Sequence, residues 1–375
     1  MNIGIVCYPT FGGSGVVATE LGKALALEGH KIHFITYTQP SRLDFFNENV
    51  YYHEVTISGY PLFKYPPYEL ALASKIVDVT LYEKLDVLHV HYAIPHASAG
   101  YLAKEILQTK NISLPFITTL HGTDITLVGK DKSYEPVVTF SINKSDGVTA
   151  VSESLKEDTY SHFDIKRDIE VIPNFIDLER FRPAEKEHFK RTLCPKNEKL
   201  IVHTSNFRKV KRVEDVVKIF YNIRKSIPAK LMLIGDGPER HVIEDLCREL
   251  DTCHDITFLG KLEMVEEVLS IADLFILPSE KESFGLAALE AMACGAPVIS
   301  SNTGGIPELN VHGKSGFLSN IGDIEDMTRN ALHVLDDKNL PIFKKNALER
   351  ASEFDLKKIL PMYESYYEKV LRETK

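Results

Sequence analysis

The chain has 375 residues, 44% of them hydrophobic and 26% charged, a length that favours two or three domains and suffices for a substantial core. Forty-four basic residues against 53 acidic ones leave a net charge of −9, which argues against nucleic acid or an anionic membrane as a general partner, since both attract positive fields. No low-complexity tract, signal-peptide pattern or run of ~18 apolar residues is present, so a cytoplasmic protein without a stable membrane anchor is expected. The five cysteines (Cys7, Cys194, Cys247, Cys253, Cys294) are odd in number and lack Cys-x-x-Cys spacing, which predicts reduced thiols and neither a disulfide frame nor a zinc site.

In chain order, Ile3 to Cys7 is an apolar run followed by the glycine-rich turn Phe11-Gly12-Gly13-Ser14-Gly15. A helical pattern runs from Val16 to Glu28, with Val17, Leu21, Ala24 and Leu25 on one face, and stops at Gly29. Lys31 to Tyr37 is rich in β-branched and aromatic residues and completes a βαβ unit. Val87 to His91, Phe116 to Leu120, Gly147 to Val151 and Glu170 to Ile172 read as further strands, with helices such as Ala71 to Leu85 and Ala97 to Lys110 between them. This alternation predicts a doubly wound α/β sheet.

Asp177 to Leu193 is charged and punctuated by proline, and reads as a linker. The alternation then restarts. Strands are predicted at Leu200 to Thr204, Lys230 to Ile234, Ile256 to Leu259, Leu274 to Leu277 and Pro297 to Ser300. Helices are predicted at Val213 to Ser226, Glu239 to Leu250, Val265 to Ile271 and Gly285 to Ala293. Two Rossmann-like domains follow, 1–180 and 181–355. A last helix, 356–375, has exposed-type aromatics (Tyr363, Tyr366, Tyr367) and is expected to fold back on the first domain. Two facing α/β domains would leave a ligand cleft at the carboxyl ends of their sheets.

Gly13-Ser14-Gly15-Val16-Val17-Ala18 matches G-x-G-x-x-A between a strand and a helix, where backbone amides and the helix start suit a phosphate. The bland alternative is a tight turn. A dinucleotide fold also wants an acid at the end of the second strand, but that strand ends Thr36-Tyr37-Thr38-Gln39 and the next acid is Asp44, so hydride transfer ranks low.

The second half carries a sharper pattern, Glu282-Ser283-Phe284-Gly285-Leu286-Ala287-Ala288-Leu289-Glu290. If the helix begins near Ser283, Glu290 lies ~11 Å down its axis. The amides of Phe284, Gly285 and Leu286 would then meet a diphosphate, with a carboxylate at each end for a sugar and a ribose. The apolar residues between argue against two solvated surface glutamates. Directly after a strand, Asn206-Phe207-Arg208-Lys209-Val210-Lys211-Arg212 gathers four cations in five residues, a clamp for pyrophosphate or a solvated turn. Gly235-Asp236-Gly237-Pro238-Glu239 joins another strand to its helix.

Together these motifs resemble glycosyltransferase family 4, whose members are retaining, metal-independent enzymes of GT-B architecture that use nucleotide sugars. The resemblance runs the length of the chain. Tyr8-Pro9-Thr10-Phe11-Gly12-Gly13-Ser14-Gly15, His89-Val90-His91-Tyr92-Ala93-Ile94-Pro95-His96 and Ile172-Pro173-Asn174-Phe175-Ile176-Asp177 are similar to the branch that works in bacillithiol biosynthesis. That branch moves N-acetylglucosamine from its UDP form to the hydroxyl of L-malate.

The resemblance implies that Glu290 binds the UDP ribose, that Glu282 holds donor-sugar hydroxyls, and that Phe284, Gly285 and Leu286 present amides to sugar and phosphate. Lys211 matches the family's lysine on the diphosphate. The usual arginine five residues earlier is replaced by Asn206, and Arg208 is expected to take over its charge. Phe258 and Leu259 would flank the uracil, with Gly235, Gly13 and Ser14 also on the donor side. His121 matches a histidine near the reaction centre. Ser14, Tyr92, Thr119, Thr123 and Lys144 are candidates for a small dicarboxylate acceptor.

No cofactor and no metal are expected. His89 and His91 share a strand face near His96 and His121, but without a carboxylate pattern behind them the expectation is core bonding and cleft lining. The aromatic segment Gly59 to Tyr68 is a candidate cap over the acceptor or a packed loop. A homodimer is compatible with the sequence. A UDP-N-acetylglucosamine epimerase, a family 4 enzyme with another acceptor and a nucleotide-sugar sensor remain alternatives.

Overall fold

The computed structural model of the chain describes residues 1–10, 12–43, 46–57, 64–128, 131–184 and 187–374. Phe11, Asp44 and residues 59–63 of the aromatic segment lie outside them. Two parallel sheets form its frame. The first contains β1 (Asn2–Val6), β2 (Lys31–Thr36), β3 (Val50–Glu54), β4 (Val87–His91), β5 (Phe116–Leu120), β6 (Gly147–Ala150) and β7 (Ile169–Val171), in the order β3-β2-β1-β4-β5-β6-β7. The second contains β8 (Lys199–Thr204), β9 (Ala229–Ile234), β10 (Ile256–Gly260), β11 (Leu274–Leu277), β12 (Val298–Ser301) and β13 (Gly316–Ser319), in the order β10-β9-β8-β11-β12-β13. These pairings are parallel throughout.

Both sheets are doubly wound, as the alternation predicts. The winding reverses between β1 and β4 and again between β8 and β11. Ligands of open α/β sheets sit outside the carboxyl ends of the strands at such reversals. Helices on both faces explain why the central strands are buried along their length and mostly apolar: Ile3, Ile5, Val6, Val87, Leu88 and Val90 are all fully buried. The edge strand β3 escaped the sequence reading because Val-Tyr-Tyr-His-Glu is half polar and leaves Tyr51 and Tyr52 exposed. The short β13 escaped as well, and the expected linker contains the helix Glu187–Leu193.

The chain divides into two compact units, Met1–Asn174 with Lys357–Lys375, and Phe175–Leu356. The last helix, Leu356–Glu373, buries Tyr363, Tyr366 and Tyr367, which corrects their reading as exposed aromatics. The Tyr366 hydroxyl donates to the Val148 carbonyl at 3.0 Å and accepts from the Val148 amide at 2.8 Å. A Cβ on Gly147 would stand 2.7 Å from Val370 Cγ2, so only glycine lets this helix so close to β6. Tyr367 reaches His89 Nδ1 at 2.8 Å and ties the same helix to β4. None of the five cysteines is in a disulfide, and all but Cys253 are buried.

Candidate active site

In the second unit, β8 runs into a loop that turns at Phe207 (φ 37°) and Arg212 (φ 48°) through the short 3-10 segment Lys209–Lys211. The fully buried Phe207 ring anchors this loop from below. The turn after β9 grips it from the side. The Glu239 amide donates to the Phe207 carbonyl at 3.0 Å, and the Gly235 amide donates to the Gly260 carbonyl at 2.7 Å. A Cβ on Gly235 would lie 1.8 Å from the Ser205 carbonyl oxygen, and one on Gly237 would lie 2.0 Å from that of Asn206. The Gly-Asp-Gly turn therefore exists so that two backbones can touch. On the other side, the Glu280 amide donates to the Val210 carbonyl at 2.8 Å, which joins the loops after β8 and β11 at the reversal of the sheet.

Two predicted site residues meet there. Lys211 Nζ donates to Glu282 Oε1 at 2.5 Å, and the Ser279 hydroxyl donates to the same oxygen at 2.9 Å. The Glu282 carbonyl accepts from the Gly305 amide at 2.9 Å, an approach open because Gly304 has no side chain. Glu290 is buried in the helix Leu286–Ala293, which starts at Leu286 and not near Ser283. Glu290 therefore sits about 6 Å along the axis from the helix start, one turn in rather than the two expected. The first amides of the helix have no preceding turn to bond to. Gly285 leads into it at φ 96°, and a Cβ there would meet Ile306 Cδ1 at 2.4 Å, so this glycine answers a packing need as well as a turn. Phe284 is buried edge-on against Phe354.

The four cations of the cluster divide by partner. The Arg212 guanidinium bonds Asp215 at 2.5 Å and Glu280 at 3.0 Å, so it holds the loop together. Asn206, Arg208 and Lys209 are exposed. Phe258 packs on the core beneath Arg240, whose guanidinium carbon is 5.4 Å from the ring centre. The β10 register shifts between Phe258 and Gly260, so Leu259 has no partner in the ladder with β9. Sequence reasoning missed Ser279, Glu280 and His203. His203 bonds the Ile276 carbonyl and Ser205 Oγ, both at 2.8 Å, and burial pushes its pKa down to about 4. A histidine inside an apolar run carries no signal that distinguishes it from any core residue.

In the first unit the helix after β1 is Gly13–Leu27, beginning three residues before Val16. A Cβ on Gly15 would lie 2.4 Å from the Tyr8 carbonyl, which explains the third glycine of the turn. The Ser14 hydroxyl donates to Tyr92 Oη at 2.9 Å, so the loops after β1 and β4 also meet at a reversal. His91 and His121 pair at 2.8 Å, and the rings of His89 and His91 stack at 4.4 Å. Among the described residues, His91 Nε2 and His96 Nε2 have no hydrogen-bond partner. The unpredicted organiser of these loops is Asp124. It accepts from the amides of Ala93 and Gly122, each at 3.0 Å, and burial pushes its pKa up to about 6.

Two acceptor candidates do not suit that role. The buried Thr119 hydroxyl bonds His89 Nε2 and Thr149 Oγ1, both at 2.6 Å, which leaves it inside the sheet. Lys144 ends the helix Glu135–Lys144 just before β6 begins, at the amino edge of the sheet, and lies over Tyr101 and Phe140. Spacing alone did not reveal that a residue just before a strand sits at the wrong end. Thr123 is exposed beside Asp124, at the carboxyl end of β5.

Residues 11–180 match the family described as Glycosyltransferase Family 4, and residues 184–351 match Glycosyl transferases group 1. The chain is 48% identical to the N-acetyl-alpha-D-glucosaminyl L-malate synthase of Bacillus anthracis, over 100% of this chain and 98% of that one. An uncharacterised glycosyltransferase of Methanocaldococcus jannaschii is 30% identical over 82% of this chain and 80% of its own. Among solved structures, Anabaena HepE in complex with UDP-glucose superposes with a TM-score of 0.83 at 19% identity, over 98% of this chain and 100% of that one. The sucrose-phosphate synthase of Thermosynechococcus elongatus superposes at 0.81 and 21%, over 100% of both. These neighbours share the two Rossmann-like domains of the GT-B class. No helix among the described residues is long and apolar enough to cross a membrane.

Proposed function

The chain belongs to the family 4, group 1 glycosyltransferases, and from that premise we propose that it moves N-acetylglucosamine from UDP-N-acetylglucosamine to the hydroxyl of L-malate. The observation that carries this reading is 48% identity sustained across both full chains with a synthase of that name. In this reading the second unit binds the UDP-sugar and the first unit, with the last helix, takes the acceptor.

On the donor side, Lys211 and Arg208 hold the diphosphate, the amides of Phe284, Gly285 and Leu286 face sugar and phosphate, and Glu290 binds the ribose. Glu282 holds sugar hydroxyls, and Leu259, Asn206 and Gly235 shape the nucleotide end. Gly13 and Ser14 offer amides at a helix start. Tyr92, Thr123 and Ser14 face the malate, and His121 lies near the reaction centre.

Retention by double displacement needs a carboxylate nucleophile on the far face of the sugar. A front-face substitution fits this residue set better. The acceptor oxygen bonds to the anomeric carbon as the bond to the diphosphate breaks, and the hydroxyl proton passes to the departing phosphate oxygen. The protein then supplies positioning and charge: Lys211 and Arg208 stabilise the negative charge growing on UDP. No metal is needed for that scheme.

Incubation with UDP-N-acetylglucosamine, with and without L-malate, tests the reading. Malate-dependent UDP release with a new α-glycoside, unchanged by a chelator, is the expected result. Epimerised donor without acceptor, or binding without turnover, overturns it.

A further inference from the structure

The edge of the first sheet holds a cluster that the transfer reaction does not use. His33 lies in the middle of β2, His53 near the end of β3, and Glu83 ends the helix Tyr68–Glu83. His33 pairs across the ladder with Tyr51 and Ile35 with His53, so strand alternation puts His33, Tyr51 and His53 on one face. The fully buried His33 ring stacks on Tyr51 at 4.8 Å and on His53 at 5.2 Å, and is thereby fixed in place. His33 Nδ1 and His53 Nε2 stand 3.0 Å apart. One ligand atom from each of His33, His53 and Glu83 falls within 4.8 Å of the others.

We propose that His33, His53 and Glu83 form a zinc site that fastens the edge strand β3 to β2 and to the helix over them. Two imidazole nitrogens and a carboxylate oxygen are a recognised zinc set, with a fourth position for water. Bonds of about 2.0–2.1 Å in a tetrahedron place neighbouring ligand atoms about 3.3 Å apart, so the imidazole pair needs to open by only a few tenths of an ångström. The Glu83 group is the most exposed of the three and rotates to close the remaining distance, while its carbonyl is anchored by Asn2 Nδ2 at 2.9 Å. The other charges near the imidazoles, among the described residues, are Lys31, Lys75 and Asp78, and Lys75 and Asp78 pair with each other at 3.8 Å.

Without the ion, the two rings share one proton between two nitrogens. With it, each facing nitrogen gives its lone pair to the ion, and the proton that lay between them moves to the other nitrogen of its own ring. The edge strand, exposed at Tyr51 and Tyr52, then gains a cross-link that resists fraying and edge-to-edge pairing. A ligand that binds only the folded state also raises its melting temperature by mass action.

The test uses the full chain, stripped with a chelator and dialysed. Zinc titration by calorimetry, and cobalt titration followed by visible absorption, are run on the parent, His53→Gln and Glu83→Gln. These two positions are not deeply buried, so the metal-free variants are expected to melt close to the parent. The parent should bind one equivalent of zinc and melt higher with it. Each substitution removes a ligand and should weaken that binding by at least about 100-fold, the upper end of what loss of an outer-shell partner costs, and abolish the cobalt band. Absence of stoichiometric binding in the parent, or affinity equal to the parent's in either variant, overturns the proposal.

Discussion

Lys211 and Glu282 are 71 residues apart in the chain, yet Lys211 Nζ and Glu282 Oε1 are 2.5 Å apart. Both side chains are mostly buried, at 22% and 13% exposure, and Ser279 holds the same oxygen. The cation proposed for the diphosphate is therefore already oriented before any donor arrives, and the carboxylate that orients it is the one proposed for the sugar. Replacing either residue with alanine should cost about 100- to 1,000-fold in kcat/KM, measured by UDP release, with the fold intact by circular dichroism. Because the two act as one unit, the double variant should lose much less than the product of the single losses. Near-normal rates in either single variant would remove the pair from the mechanism.

Arg208 and Arg212 should separate by assay. Arg212 bonds the buried Asp215 and also Glu280, so Arg212→Ala should lower stability by about 2 kcal/mol in urea unfolding, the half-exposed guanidinium moderating the loss. Arg208 is exposed in the same loop. Arg208→Ala should leave the unfolding midpoint in place and lower turnover about 100-fold. The reverse pattern would exchange their roles.

Gly235 and Gly313 offer a controlled comparison. Both have positive φ, 120° and 74°, but a Cβ on Gly235 would lie 1.8 Å from a carbonyl oxygen, whereas nothing stands within 4 Å of one on Gly313. Gly313→Ala should cost about 1 kcal/mol, the backbone term alone. Gly235→Ala should cost more than about 3 kcal/mol and raise the donor KM, because the loop after β8 must move. Equal melting temperatures would count against this account of the turn.

Acid should weaken the first unit. Burial lowers the pKa of His89 and His121 to about 3 and of His96 to about 4, and His91 falls well below its ordinary 6.5. The unfolded chain therefore takes up these protons first, and the stability present above pH 6.5 is lost as pH falls from about 6.5 towards 3. Asp124, raised to about 6, opposes this between about 4 and 6, but it is one group against four. Unfolding followed from pH 7 to 4 should show a steep loss accompanied by uptake of several protons. A flat profile would mean the histidines are not buried neutral.

The doubly wound plan was legible because central strands covered on both faces are short, mostly apolar or β-branched runs between helical patterns, and Val87–His91 and Phe116–Leu120 were read with the bounds the structure has. Glu282, Glu290 and Lys211 were legible as types at a spacing. β3 was not, because an edge strand owes its conformation to its neighbour: Val-Tyr-Tyr-His-Glu is a strand by pairing with Lys31–Thr36. Asp124 was not legible, since its importance lies in the amides of Ala93 and Gly122 that it gathers from two loops.

Local pattern thus specifies which segments are strands and helices, because burial periodicity and turn chemistry act over a few residues. It does not specify which side chains meet. Lys144 and Thr119 had suitable chemistry and proved to be at the amino edge and inside the sheet. Arg212 and Lys211 are adjacent in the chain, yet one bonds Asp215 and Glu280 and the other Glu282. Those pairings depend on where the sheet order reverses and brings the loops after β8 and β11 side by side. That juxtaposition arises from contacts between segments about seventy residues apart, which no local window of the chain contains.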